Sequence, residues 1–88
     1  MTIEEYKEMV LHHLEKAHDC EGVERIIDHS IELMKSRNIA TPTVSHYLHK
    51  LYDALKKLAP ADFDSIHWCN IRYAIMYLSK ITGNLSAH

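Results

Sequence analysis

The sequence predicts an all-α protein with a single domain, folded as a compact four-helix bundle. Three observations favour this fold. The chain has 88 residues but only two glycines and two prolines, so residues that form turns are few. Its apolar residues recur every three or four positions, which is the period of an α-helix. Breaks in that period divide the chain into four segments joined by short connections.

The first predicted helix extends from Thr2 to His18. Thr2 and Glu5 have the spacing of a capping box, in which a hydroxyl and a carboxylate each accept a hydrogen bond from a free backbone N–H group. The opposite face of this helix is charged and is expected to meet solvent. The face directed at the core carries Ile3, Tyr6, Val10, Leu14 and Ala17.

The second predicted helix extends from Glu21 to Arg37. Ser30 lies in the middle of its apolar face, where a small side chain is expected to let a neighbouring helix approach closely. The segment RNIAT, residues 37–41, then interrupts the pattern. The inward positions of this helix are Val23, Ile26, Ile27, Ser30 and Met34.

The third predicted helix begins with Thr41 as its N-cap and Pro42 at the first helical position, where the missing N–H group of proline costs nothing. It ends near the segment APAD, residues 59–62. Its inward positions are Val44, Leu48, Leu51, Leu55 and Leu58.

The fourth predicted helix, from Asp64 to Thr82, differs from the others because it is apolar on two faces. Gly83 is expected to cap its C-terminus. One face carries Ile66, Tyr73 and Tyr77, which we assign to the core. At 3.6 residues per turn the second face spans roughly 80°, and it consists of Trp68, Ile71, Ile75 and Leu78.

This second face has two interpretations. Either it docks a partner protein or a second copy of the chain, or the three other helices enclose it. We favour the docking surface, with a homodimer as one form of it. The predicted core then contains Tyr6, Val10, Leu14, Ile26, Ile27, Val44, Leu48, Leu51, Leu55, Ile66, Tyr73 and Tyr77.

Residues 32–48, ELMKSRNIATPTVSHYL, resemble the helix-turn-helix segment of winged-helix and related bacterial repressors. Asn38 occupies the turn position that glycine usually holds, and asparagine tolerates the left-handed backbone of such a turn. The resemblance implies a DNA-binding function, with four side chains directed at the major groove: Thr43, His46, His49 and Lys50. The net charge of −2 points the other way, because proteins that bind nucleic acid usually carry a basic excess.

Residues that suit catalysis or metal binding are present but scattered. The chain has eight histidines and two cysteines, yet no plausible helix face brings together more than two or three ligands, whereas zinc needs four, or three plus a water. Apolar neighbours suggest that Cys69 is a thiol of the core. We therefore predict no catalytic residues, no metal site and no cofactor.

The sequence thus favours a small non-enzymatic regulatory or adaptor protein that acts through helix-mediated association with a protein. The alternative is a helix-turn-helix transcriptional regulator that binds DNA. No apolar run approaches the roughly 18 residues of a membrane span, and the acidic N-terminus does not resemble a signal peptide. We therefore expect a cytoplasmic protein that does not associate with membranes.

Overall fold

A computed structural model describes residues 2–85, with side chains up to Gly83. In this part of the chain, four α-helices and a short 3₁₀ turn enclose one hydrophobic core, and there is no strand. The radius of gyration, 12.6 Å, is close to the value of about 12 Å for a compact chain of this length. The predicted all-α four-helix fold is confirmed. The helices are α1 (Ile3–Glu15), α2 (Cys20–Ser36), α3 (Thr41–Lys56) and α4 (Ser65–Leu85), with the 3₁₀ turn at Pro60–Asp62.

Side-chain caps fix the starts of α1 and α2. The hydroxyl of Thr2 accepts a hydrogen bond from the backbone N–H of Glu5 at 3.1 Å, and the carboxylate of Glu5 accepts one from the N–H of Thr2 at 3.0 Å. The predicted capping box is therefore confirmed. The carboxylate of Asp19 caps α2 by accepting from the N–H of Gly22 at 2.7 Å.

The start of α3 differs from the prediction by one residue. Ala40 is the N-cap, so Thr41 and Pro42 are the first two helical residues, and no side chain caps this end. Pro42 is tolerated there because the N–H groups of the first turn have no partner within the helix.

The connection between α2 and α3 is a tight turn that depends on Asn38. The backbone of Asn38 has a φ of 59°, in the left-handed region expected for this residue. Its N–H group donates to the carbonyl of Lys35 at 3.0 Å, and the N–H of Ile39 donates to the carbonyl of Met34 at 3.1 Å. These two bonds form a Schellman motif, which ends α2 and satisfies its last carbonyl groups.

Helices that are consecutive along the chain do not always pack against each other. Helices α1 and α4 each pack against all three others, whereas α2 and α3 make little contact with each other although they are consecutive. The contacts between α2 and α4 advance in the same direction along both helices, from Glu24 with Tyr73 to Asp28 with Tyr77. These two helices therefore run parallel.

Helix α4 is rotated relative to the prediction. Ile71, Ala74 and Leu78 are completely buried, so the prediction that Ile71 and Leu78 face outward is wrong. The prediction that Ile66 belongs to the core is also wrong, because 66% of its surface is exposed. Tyr73 and Tyr77 are half-buried at the margin between α2 and α4.

Small and polar residues explain this orientation. Ala74 is completely buried, and its single methyl group occupies little space between α4 and its neighbours. The side-chain amide of Asn70 is also buried. It donates to the backbone carbonyl of Ala17 at 2.9 Å, and this carbonyl, just after the end of α1, therefore has a hydrogen-bond partner. Buried Thr82 donates to the carbonyl of Leu78 at 2.8 Å. The helix continues through Gly83, which is therefore not a C-terminal cap as predicted.

The rest of the core largely follows the sequence pattern. Tyr6 and Ile26, predicted to be buried, lie at its margin. Tyr47 is fully buried without having been predicted, and its hydroxyl donates to the hydroxyl of Ser30 at 2.9 Å. The residues that are predicted to lie in the core and are confirmed as buried are Val10, Leu14, Ile27, Val44, Leu48, Leu51 and Leu55.

Candidate interaction surface on the fourth helix

The outward face of α4 carries a row of apolar side chains. Ile66 and Met76 are 66% and 58% exposed, more than any other large hydrophobic residue in the described part of the chain. Cys69 is exposed as well, so the prediction that it is a core thiol is wrong. Half-buried Tyr73 completes the row. We call these four residues, Ile66, Cys69, Tyr73 and Met76, the α4 stripe.

The spacing within the α4 stripe is that of a coiled-coil seam. Successive members are separated by three, four and three residues, so they correspond to positions a, d, a and d of two heptads. This spacing places all four side chains on one narrow strip of the helix. The opposite side of the helix is occupied by the core residues Ile71, Ala74 and Leu78.

Carboxylates of α2 border one side of the stripe. The hydroxyl of Tyr73 donates to the carboxylate of Glu24, and that of Tyr77 donates to Asp28 at 2.7 Å. The two tyrosine rings stack with their centres 6.3 Å apart. We call Glu24 and Asp28 the acidic edge.

Cationic side chains border the other side, where α4 meets α3. Arg72 is exposed and shares a shallow depression with Met76 and Tyr52. The ammonium group of Lys56 lies 5.3 Å from the centre of the Tyr52 ring, within the range of a cation–π contact. We call Lys56 and Arg72 the basic edge. The stripe is therefore an apolar strip between one negative and one positive border.

The hydrogen bond to Asp28 raises the pKa of Tyr77 to about 12, and the bond to Glu24 likewise raises the pKa of Tyr73. A phenolate beside a carboxylate is repelled, so the folded protein favours the neutral hydroxyl. The unfolded tyrosine has a pKa of about 10. The contribution of Tyr77 to stability is thus fully present below pH 10 and is lost as the pH rises toward 12.

We therefore expect the free energy of unfolding to fall more steeply above pH 10 in the wild type than in Tyr77→Phe. Urea unfolding from about pH 9, below the unfolded pKa of about 10, to about pH 12, the folded pKa, measures this difference. Phenylalanine keeps the ring stack with Tyr73 but has no proton to lose. Parallel pH profiles for the two proteins would contradict the proposed coupling.

The four residues predicted as an interface do not form one exposed surface. Ile71 and Leu78 lie in the core, as described above. Trp68 and Ile75 are half-buried on the flank of α4 toward α3. The ring of Trp68 stacks on Phe63 with centres 6.2 Å apart, and Ile75 lines the same depression as Tyr52. Ile75 lies beside Met76 in that depression and so borders the α4 stripe.

The residues that resemble a DNA-reading helix lie along α3. His46 and His49 are exposed, whereas Thr43 and Lys50 are half-buried. The ammonium group of Lys50 is held by the carboxylate of Glu4 at 2.6 Å. Lys50 and then Lys7 lower the pKa of Glu4, so the carboxylate stays charged.

The charges around Lys50 are balanced rather than basic. One hollow between α1 and α3 is lined by three lysines and three carboxylates: Lys7, Lys50, Lys57, Glu4, Glu8 and Asp53. Binding to phosphates requires a local excess of positive charge. In addition, α2 and α3 pack mainly on other helices rather than on each other. The turn at Asn38 and the exposure of His46 and His49 match what the resemblance implies.

A second concave region lies where α2 and α3 diverge. This cleft of about 320 Å³ has an apolar floor, and Asp28, Glu32 and Lys35 lie at its border. Its apolar lining consists of Ile31, Ile39, Val44, Leu48, Tyr77 and Ile81.

Within residues 2–85, no three side chains of His, Cys, Asp or Glu converge in a way that suits a metal ion. Over the same range, no helix has both the length and the apolar character needed to cross a bilayer. Comparison of the chain with protein-family models, with curated proteins and with solved structures found no match.

Proposed function

We propose that this protein is a small non-enzymatic adaptor or regulatory protein that acts by binding another protein through the α4 stripe. One observation carries the proposal: Ile66 and Met76 are largely exposed on a helix whose opposite face already forms the core. Full burial of an isoleucine or methionine side chain is worth about 1.5–3 kcal/mol. Because 66% of Ile66 and 58% of Met76 remain exposed, a partner that covers them would gain roughly 1–2 kcal/mol from each side chain, before the cost of association.

The surroundings of the stripe support the same function. Protein interfaces commonly have an apolar centre that contains aromatic residues and methionine, with a polar border. Here Met76 and Tyr73 lie in the centre, and the acidic and basic edges form the border. The two borders have opposite charges, which would fix the orientation of a bound partner.

The test compares two methionines that are exposed on different helices. Met76 belongs to the stripe, whereas Met9 is 40% exposed on α1, which packs against the core side of α4. We expect Met76→Glu to abolish chemical cross-linking of the protein to its partner in cells of its source, and Met9→Glu to preserve it. Equal cross-linking of both variants, with both folded by circular dichroism, would refute the proposed function.

DNA binding by α3 is the second candidate, and its support is the left-handed turn at Asn38 between α2 and α3. A gel-shift assay with mixed-sequence duplex at low salt tests it. Binding that depends on phosphate contacts must weaken steeply as salt increases. Loss of that binding in Lys50→Gln would favour this function over the first.

A further inference from the structure

We propose that the partner of the α4 stripe is a second copy of this chain, packed about a two-fold axis that runs parallel to α4. The two α4 helices would lie side by side in the same direction. This inference rests on the proposed function, because it uses the same surface, and it adds the identity and the orientation of the partner.

The spacing of the stripe is the first argument. Residues at positions a and d form the seam between two helices of a coiled coil, in which each side chain packs among residues of the other helix. In a parallel two-fold pair, each member meets its own counterpart, so Ile66 packs near Ile66 and Met76 near Met76. Lys80 occupies the next a position and is exposed. The contact therefore extends from Ile66 to Met76 and ends before Lys80.

The charges beside the stripe decide between the two possible directions. A two-fold axis parallel to α4 places the acidic edge of one copy opposite the basic edge of the other. An axis that reverses the direction of α4 instead places acidic edge against acidic edge and basic against basic. Because like charges facing each other across an interface are unfavourable, the parallel pair is the one that the charges permit.

The charges of both edges are also available for such pairing. Among the residues that the structure describes, neither Glu24 nor Asp28 forms an ion pair, and neither Lys56 nor Arg72 does. Each carboxylate accepts a hydrogen bond from a tyrosine through one oxygen. The other oxygen remains for a cation of the second copy.

Sedimentation equilibrium of the full chain, up to about 100 μM as suits a small interface, tests this inference. We expect a concentration-dependent dimer for the wild type and for Met9→Glu, and a monomer for Met76→Glu. We also expect Arg72→Glu to weaken the dimer about tenfold. Adding Asp28→Lys to Arg72→Glu exchanges one charge of each edge and is expected to restore much of the affinity.

The possible results separate the dimer from its orientation and from the proposed function. A dimer that Met76→Glu disrupts but Arg72→Glu does not would overturn the parallel arrangement. A wild type that stays monomeric would overturn self-association, and the proposed function would still stand if cross-linking to another protein depends on Met76. A dimer that persists in Met76→Glu uses a different surface and also overturns the inference.

Discussion

Replacing Ile71 by glutamate is expected to unfold the protein, whereas Ile66→Glu is expected to leave it folded. Ile71 is completely buried, so the substitution loses about 2–3 kcal/mol of apolar burial and forces a carboxylate out of water. The total cost, more than about 4 kcal/mol, is comparable with the whole stability of a domain of this size, about 4–13 kcal/mol. Ile66 is largely exposed, and glutamate there remains solvated.

Far-UV circular dichroism and urea unfolding at low protein concentration measure both variants. The pair is well matched because the same side chain replaces the same residue on the same helix. Met76→Glu adds a control in the middle of α4, since Ile66 lies near the start of the helix, where an acidic residue is favourable. Stability lost by Ile66→Glu and retained by Ile71→Glu would mean that α4 has the opposite rotation.

The inward faces of the first three helices are predictable because each has only one apolar face at the helical period. On α3, for example, Leu48, Leu51 and Leu55 share a side, and no competing apolar row exists. All three are completely buried. A helix with a single apolar face can bury its apolar surface in only one orientation. The sequence pattern therefore predicts the orientation found in the tertiary structure.

The rotation of α4 is not predictable in this way because the helix has two apolar faces. Hydrophobicity alone does not decide which of the two faces is buried. The face that is buried contains residues of low hydrophobicity. Asn70 is buried because its amide reaches the carbonyl of Ala17, a partner that no pattern within α4 reveals. Ala74 is completely buried although its single methyl group adds little to either apolar face. Both positions are recognisable as core positions only once the helices are packed.

The candidate interaction surface could not be predicted either, because it also depends on the rotation of α4. The spacing of Ile66, Cys69 and Met76 is visible in the sequence, but its exposure follows from the rotation of α4. The apolar neighbours of Cys69 in the sequence suggest a core position, although those neighbours point in other directions around the helix. The acidic edge depends on α2 and α4 being parallel, which is a property of the tertiary structure.

Tyr47 shows what a pattern of apolar residues leaves out. It lies three residues after Val44 and four before Leu51, on the inward face of α3, but the burial of its hydroxyl requires a hydrogen-bond partner. Ser30, on α2, is that partner, because its hydroxyl accepts the hydrogen bond of the tyrosine. The small side chain of Ser30 leaves room beside α2, and the hydroxyl of Tyr47 reaches into it from α3. Burial raises the pKa of Tyr47, so its hydroxyl stays neutral.

Ser30→Ala is therefore expected to destabilise the protein by about 1–3 kcal/mol, because it leaves the buried hydroxyl of Tyr47 without its acceptor. Tyr47→Phe is expected to cost about 1 kcal/mol, since Ser30 still donates to the carbonyl of Ile27 at 2.7 Å. Tyr6 binds the backbone carbonyl of Ser30 and is unaffected by either change.

The double variant distinguishes this hydrogen bond from simple packing. Once phenylalanine replaces Tyr47, no hydroxyl needs an acceptor at position 30, so the second substitution is expected to cost less than it does alone. Urea unfolding of the four proteins in this double-mutant cycle gives the coupling free energy, expected to be at least about 0.5 kcal/mol. Additive costs would show instead that the two hydroxyls contribute independently, and that the burial of Tyr47 is a matter of shape alone.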